Sequence, residues 1–299
     1  MTAVVQGGDD RWAARAASWA ALDWTKDVGL DEAIPVSHYP QLAEGPFDAA
    51  QKSALAHFMS CFTCELFVHF EGYLIDYLRR HPERVVMLSP RTMESFVAEE
   101  QLHTDAFRKL LMKLRPDLYP QGQPRFLRRR RSEDRVLSCL PATTFFLLAL
   151  LFEEITLFVP QALRAETRCS PLLKSVMELH ARDEQAHVGL DARALLELSR
   201  SGWRGARSLE VLACLPALWF VDQQIARGWR SAVRQVAAEL SLDSEQTRYL
   251  LRREPSLSDR WGGESFVAKL ANLSLPCAPL LASVLSAQLA SGPRVLVEE

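Results

Sequence analysis

The chain has 299 residues, of which 48% are hydrophobic, and it is long enough for one large domain or two small ones with a sizeable core. Its formal net charge of −2 gives no global attraction to nucleic acid or to a membrane surface, so we expect neither as a partner. No apolar run reaches the roughly 18 residues of a spanning helix. The N-terminus also lacks a basic segment followed by an apolar one, so we expect no signal peptide and a cytoplasmic location.

The composition predicts an all-α protein. Leu, Ala, Arg and Glu are abundant, and the chain has only 13 Gly residues. Few segments show the alternation of apolar and polar residues that is typical of strands. Residues 1–45 contain one short amphipathic stretch, and we expect this segment to lie on the surface. Residues 46–299 are expected to form a single helical domain, with its core at 48–201 and additional helices within 206–291.

Local capping signals predict where the core helices begin. Asp48 follows Pro46 and is a suitable N-cap for the first helix. Ser89 and Ser170 are each followed by proline, which is the pattern of an N-cap with proline at the first helical position. The predicted core helices run over residues 48–80, from 90 to about 116, from 142 to a kink or end at Pro160, and 171–201.

The long connection between the second and third core helices, residues 116–141, is informative in itself. Ferritin-like bundles have one such crossover at this point of the chain. An arginine-rich run, residues 125–135, lies within it, and we interpret the run as a solvated or salt-bridged face because acids adjoin it. A nucleic-acid surface, or one arginine turned inward to an anionic substrate, are the alternatives. Helices at 206–238 and 264–291 are assigned to covering the bundle or to a subunit interface.

Two copies of one short pattern, an acid followed by Glu-x-x-His, carry the functional signal. The first copy is Glu99-Glu100 with His103, and the second is Asp183-Glu184 with His187. In the second, His180 precedes the glutamate by four residues, so His180, Glu184 and His187 share one helix face. A single Glu-x-x-His match often arises by chance, but two copies in one chain are far more specific.

Helix bundles that hold two metals combine two Glu-x-x-His pairs with one carboxylate from each of two further helices. In the first helix we prefer Glu65, which lies mid-helix in an apolar run, over Glu71. In the third helix Glu153 and Glu154 follow a continuous apolar run, and the residues alone do not separate them. The four resulting carboxylates carry a charge of −4, which matches two divalent ions.

The donor types favour iron or manganese, because the pattern combines carboxylates and imidazoles without a thiolate. Glu99 and Asp183 each adjoin a predicted ligand, at positions where they can accept a hydrogen bond from the histidine of the other copy. We assign them as residues that orient those histidines. The alternative is that both are ordinary surface acids.

These motifs, within residues 50–230, resemble the ferritin-like non-haem diiron N-oxygenases of the para-aminobenzoate N-oxygenase type. The additional histidine, His180, is the feature that distinguishes this family from other diiron proteins, and the resemblance favours Glu153 over Glu154. It implies two iron ions, O₂ as co-substrate, a peroxo-diferric oxidant, and oxidation of an arylamine nitrogen through the hydroxylamine towards the nitro level. It also implies a small-molecule amine as substrate, an external electron donor and a homodimer. The predicted metal ligands are Glu65, Glu100, His103, Glu153, His180, Glu184 and His187.

Two other functions fit a ferritin-like diiron site. One is a diiron oxygenase or oxidase that acts on a C–H bond or another substrate, because pocket residues rather than the fold decide the substrate. The other is a ferritin-type iron-handling protein. A ferritin subunit is usually shorter than this chain, and a ferroxidase site does not need an additional histidine such as His180.

Overall fold

The computed structural model describes residues 8–26, 28, 34, 40–163, 169–200, 204–252, 278, 281–283 and 285–286. Over these residues the regular structure is helical and contains no strand, which confirms the predicted all-α fold. A short 3₁₀ turn, Pro82–Arg84, lies between the third and fourth helices. The helices in chain order are α1 (Gly8–Ala20), α2 (Pro40–Ala43), α3 (Ala49–Arg80), α4 (Pro90–Leu114), α5 (Arg131–Ser138), α6 (Ala142–Leu163), α7 (Pro171–Arg200), α8 (Arg204–Leu212), α9 (Cys214–Glu239) and α10 (Ser244–Leu251).

Asp48 and Ser89 cap their helices as predicted, whereas the buried Ser170 hydroxyl has no hydrogen-bond partner, so its predicted role as a side-chain cap of α7 is wrong. The Asp48 carboxylate accepts a hydrogen bond from the backbone N–H of Gln51, and the Gln51 side chain accepts one from the Asp48 N–H, which forms a capping box. The Ser89 hydroxyl accepts from the N–H of Thr92, and Pro90 occupies the first helical position of α4. These local interactions fix the starts of the first two core helices.

The core is a bundle of four long helices. Helix α3 packs along α4, α6 packs along α7, and α4 contacts α7 across the bundle. The connection between the second and third of these helices is the long segment that carries α5, as in ferritin-like bundles. Helix α1 packs against α4 and α7, and α9 packs against α3 and α6.

The region after the core differs from the prediction. Residues 206–238 were expected to form one helix, but the structure has two, α8 and α9. Pro216 gives the reason: it has no N–H for the carbonyl of Leu212, and its ring would clash with that carbonyl in a continuous helix. Helix α10 was not predicted. The predicted helix at 264–291 falls outside the described residues, except for 278, 281–283 and 285–286.

One stripe of α3 holds the crossover in place. The buried Glu65 carboxylate accepts hydrogen bonds from the Tyr119 hydroxyl at 2.6 Å and from the backbone N–H groups of Phe126 and Leu127, both at 2.9 Å. One turn further along, His69 Nδ1 lies 2.7 Å from the Leu127 carbonyl oxygen. The long connection is thus bound to the bundle by a buried carboxylate and an imidazole.

The arginine run of the crossover is salt-bridged where the contacts are described. Arg129 binds Asp76 of α3 and Asp134 of α5, each at 2.6 Å, and donates to the Gly72 carbonyl. Glu133 is buried and pairs with Arg227 of α9. The run therefore contributes ties between the crossover and its neighbouring helices.

Over the described part of the chain, two apolar cores lie along the bundle, and a polar layer lies between them. One core contains Phe67, Phe107 and Met177, and the other contains Leu74, Phe96 and Val188. The two Glu-x-x-His copies lie at the level where one core gives way to the other.

By length and composition alone, Ser208–Glu239 could cross a membrane, but core helices of soluble proteins meet the same criterion, so this is weak evidence.

Candidate metal centre

Among the residues that the structure describes, six buried side chains from three core helices converge in the polar layer. They form two groups of four whose donor atoms lie within 4.8 Å of one another. The groups share a histidine and a glutamate. The first group is Glu71, His103, His180 and Glu184, and the second is Glu100, His103, Glu184 and His187.

Glu184 lies between the two groups. Its Oε1 is 2.8 Å from His180 Nε2 and 3.1 Å from His103 Nδ1, whereas its Oε2 is 3.1 Å from His187 Nδ1. Glu184 therefore directs one oxygen towards each group. Glu100 directs its two oxygens towards two histidines of the second group, with Oε1 2.8 Å from His187 Nδ1 and Oε2 3.7 Å from His103 Nδ1.

Glu153 approaches the second group from α6. Its Oε2 is 3.9 Å from His187 Nδ1 and has no hydrogen-bond partner, although the residue is buried. Glu154 is buried as well. The predicted carboxylate of the third core helix thus lies beside the cluster, although it is not a member of either group of four.

The first core helix supplies a different carboxylate from the one we preferred. Glu71 is in the cluster, with Oε1 3.1 Å from His180 Nε2 and Oε2 accepting a hydrogen bond from the Thr104 hydroxyl at 3.0 Å. Glu65 is bound to the crossover and belongs to neither group. The sequence-based choice of Glu65 is therefore corrected to Glu71 for the position in the cluster.

Helix geometry explains this correction. Glu71 lies nine residues before Arg80 and Glu100 lies ten residues after Pro90, so both are about 14–15 Å from the helix ends that face the same short connection. Glu65 lies fifteen residues before Arg80, so it is about 9 Å further along α3. At about 100° per residue, it also points about 120° away from Glu71.

The acid of each copy contacts the histidine of the other copy. Glu99 Oε2 lies 2.8 Å from His187 Nε2, and Asp183 Oδ2 lies 3.5 Å from His103 Nε2. Each histidine therefore directs Nε2 outward to an acid and Nδ1 inward to the cluster. Burial by itself raises the pKa of Asp183, but hydrogen bonds from His103 and Trp19 outweigh it and lower this pKa to about 2.

His180 is held in a different way. Its Nε2 faces the cluster, and its Nδ1 is buried without a hydrogen-bond partner. Phe67 and Phe107 pack against the ring, with centroid distances of 5.1 and 4.9 Å. Aromatic packing rather than an outer carboxylate therefore fixes the orientation of this imidazole.

The pKa values of the three histidines reflect how close they lie to carboxylates. Burial lowers the pKa of each ring, because the charged form is desolvated. For His103 and His187 the carboxylates, Glu100 and Glu184 among them, outweigh burial and raise the pKa well above its usual value. For His180 the positive charge of His103 adds to burial, and the pKa falls well below its usual value.

The donor set fits a pair of hard divalent cations. Three buried atoms that could ligate a metal have no hydrogen-bond partner: Glu100 Oε1, His103 Nδ1 and Glu153 Oε2. Other possible ligand atoms of the cluster lie close to them. Burial of such atoms is costly unless a cation or another partner satisfies them. Carboxylate oxygens and imidazole nitrogens without a thiolate are ligands that suit iron or manganese.

Two residues of α1 near the cluster were not foreseen from the sequence. Trp19 donates a hydrogen bond to Asp183, and Arg15 contacts both Glu99 and Asp183. Their only sequence signal is that they lie four residues apart in the amphipathic stretch near the N-terminus. Neither residue type is a metal ligand, so a search for ligand patterns passes over both.

Comparison with known proteins agrees with this site. A family model described as P-aminobenzoate N-oxygenase AurF matches residues 46–253, which include the whole cluster and Glu153. A comparison with curated proteins found no sequence that matches this chain. Because the family match covers more than half of the sequence, the chain belongs to the p-aminobenzoate N-oxygenase AurF family and is an enzyme of the diiron N-oxygenase class.

Proposed function

We propose that this enzyme binds two iron ions and uses O₂ to oxidise the nitrogen of a small arylamine. The observation that carries the proposal is the pair of donor groups that share Glu184, because its two oxygens are directed to different groups. The family match supports the nitrogen atom as the site of oxidation.

Glu71, His103 and His180 would hold one ion and Glu153 and His187 the other, and Glu100 and Glu184 would be available to both. His103 is a member of both groups of four, but its Nδ1 can bind only one ion. Its ring centroid lies 4.7 Å from that of His180 and 5.7 Å from that of His187, which supports placing it with His180. The four carboxylates then balance the charge of two divalent ions.

When bound, two ferrous ions would supply the two electrons needed to place one oxygen atom of O₂ in the amine N–H bond, giving a hydroxylamine, while the other oxygen atom would take up two protons and leave as water. The chain itself holds the imidazoles in place. Glu99 and Asp183 accept from Nε2, so the lone pair of Nδ1 in His187 and His103 faces inward.

The surroundings exclude bulk water from this chemistry. Glu100, His103, His180 and Glu184 are all buried, and apolar cores lie on both sides of them. A dry site strengthens each electrostatic interaction and limits the loss of a reactive oxidant to water. An apolar wall such as Phe96, whose ring lies 4.4 Å from that of His187, also suits an aromatic substrate.

The test is a single-turnover assay. Protein loaded with two ferrous ions per chain is mixed with ¹⁸O₂ and a panel of aryl and aminoacyl-arene amines, and the products are identified by mass spectrometry. We expect ¹⁸O on nitrogen, and loss of this product in His180→Ala. Oxygen found only on carbon would support the C–H oxygenase instead, and uptake of many irons per chain into a large cage would support iron storage.

Three further proposals concern the context of the reaction. They are an external electron donor, a homodimer and a cytoplasmic location. Because the centre must be reduced again after each turnover, sustained product formation should require added reductant. Size-exclusion chromatography with light scattering tests the dimer, and cell fractionation tests the location.

A further inference from the structure

Helix α1 lies before the segment that the family model matches, yet it reaches the candidate metal centre. Arg15 and Trp19 lie one turn apart on this helix, so they share a face. Trp19 is 5% exposed, and the Arg15 side chain is 21% exposed. This face covers the side of the bundle where α4 and α7 meet.

Trp19 is hydrogen-bonded to the carboxylate that faces His103. Its indole Nε1 donates to Asp183 Oδ2 at 2.8 Å, and the same oxygen lies 3.5 Å from His103 Nε2. The indole also packs on the imidazole, with the ring centroids 5.3 Å apart. Trp19 therefore restrains both the acceptor carboxylate and the ring that the carboxylate orients.

Arg15 joins the outer acids of the two motif copies. Its Nη1 is paired with Glu99 Oε2, and its Nε lies 3.4 Å from Asp183 Oδ1. These acids come from different helices, and each faces one of the histidines that point into the cluster. A guanidinium offers several donors in a rigid plane, so one side chain can hold two carboxylates at a fixed separation. It also offsets the negative charge of acids that lie close to four more carboxylates.

We propose that Arg15 and Trp19 are positioning residues of the metal centre, and that α1 is a clasp that fixes Glu99 and Asp183 as acceptors for His187 and His103. The proposal rests on the proposed function, because it requires that metal ions bind these histidines. Outer partners of metal-binding histidines commonly change metal affinity by about 10–100-fold. Metal affinity would then depend on α1, which lies outside the residues that the family model matches.

The test compares Arg15→Gln and Trp19→Phe with two matched controls. Arg115 has a similar exposure, 20%, and also joins two carboxylates, Asp117 and Glu239, but lies away from the cluster. Trp229 is a buried indole that donates to the Leu250 carbonyl. The controls are therefore Arg115→Gln and Trp229→Phe in the full-length protein.

The readout is the dissociation constant for Fe²⁺ and for Co²⁺, from anaerobic competition with a chromophoric chelator. We expect about 10–100-fold weaker binding in Arg15→Gln and Trp19→Phe, partial rescue in Arg15→Lys, and wild-type binding in both controls. Thermal unfolding of the metal-free variants separates affinity from folding, since a merely structural helix would lower the melting temperature and leave the dissociation constant unchanged.

The outcomes separate this proposal from the function on which it rests. If the wild-type protein binds no metal, the proposed function itself fails. If the wild-type protein binds two ions and Arg15→Gln binds them equally tightly, the clasp is wrong and the metal centre stands. Arg15 is partly exposed, so this variant decides the question even if Trp19→Phe does not fold.

Discussion

Exchanging Glu65 or Glu71 for glutamine tests the register of the metal centre most directly. Both carboxylates are buried in α3, six residues apart, so they differ by about 9 Å in height and about 120° in direction. Glu71 Oε1 lies 3.1 Å from His180 Nε2, whereas Glu65 binds the crossover. Glu71→Gln removes one negative charge from four that balance two divalent ions, so we expect metal content to fall from about two towards one per chain.

Glu65→Gln is the matched control on the same helix. The glutamine oxygen can still accept from the two backbone N–H groups, and its amide can donate to the Tyr119 oxygen, so we expect two metal ions and near-normal stability. Glu65→Leu, by contrast, leaves those buried N–H groups without an acceptor. It should lower the free energy of unfolding by about 1–3 kcal/mol per orphaned group.

Metal analysis by inductively coupled plasma mass spectrometry and urea denaturation measure these two effects separately. The expected pattern is metal loss with Glu71→Gln and loss of stability with Glu65→Leu. The reverse pattern, with metal lost in Glu65→Gln and retained in Glu71→Gln, would refute the placement of Glu71 in the cluster. It would support Glu65 as the metal ligand, as the sequence predicted.

Three further predictions concern protons and the backbone. Because the pKa values of His103 and His187 are raised in the metal-free protein, metal binding should release protons and become tighter with rising pH. The released protons are taken up by the buffer, so the calorimetric heat of binding should depend on which buffer is used. A heat that is the same in every buffer would contradict this prediction. Asp191 is buried without a hydrogen-bond partner, and burial raises its pKa, so stability should fall as pH rises above about 4, where the same carboxyl ionises in the unfolded chain. Asp191→Ala should therefore raise the free energy of unfolding of the metal-free protein by about 1–3 kcal/mol at pH 7 and by less at pH 4, and destabilisation at both pH values would refute it. Gly122 has a φ of 63°, and an added Cβ would lie 2.4 Å from a carbonyl oxygen of α4. Gly122→Ala should therefore lower the free energy of unfolding, measured by urea denaturation, by about 1–3 kcal/mol. Gly189 has open space around it, so Gly189→Ala should not destabilise the protein.

The sequence by itself determined the class of fold and most of the inner residues of the site. Capping residues such as Asp48 and Ser89 act within a few residues, so they mark helix starts without knowledge of the packing. The Glu-x-x-His spacing likewise places His187 and Glu184 on one face through the helical repeat alone. The repeat of the acid in both copies pointed to Glu99 and Asp183 as neighbours of the histidines.

Only the tertiary structure decided which residues of different helices meet. The choice between Glu65 and Glu71 depends on the height and rotation of α3 against α4, and the packing of the whole bundle sets both. Arg15 and Trp19 reach the centre because α1 docks on α4 and α7, and no local pattern encodes that contact. Helical periodicity is a property of neighbouring residues, whereas register between helices is a property of side chains far apart in the chain.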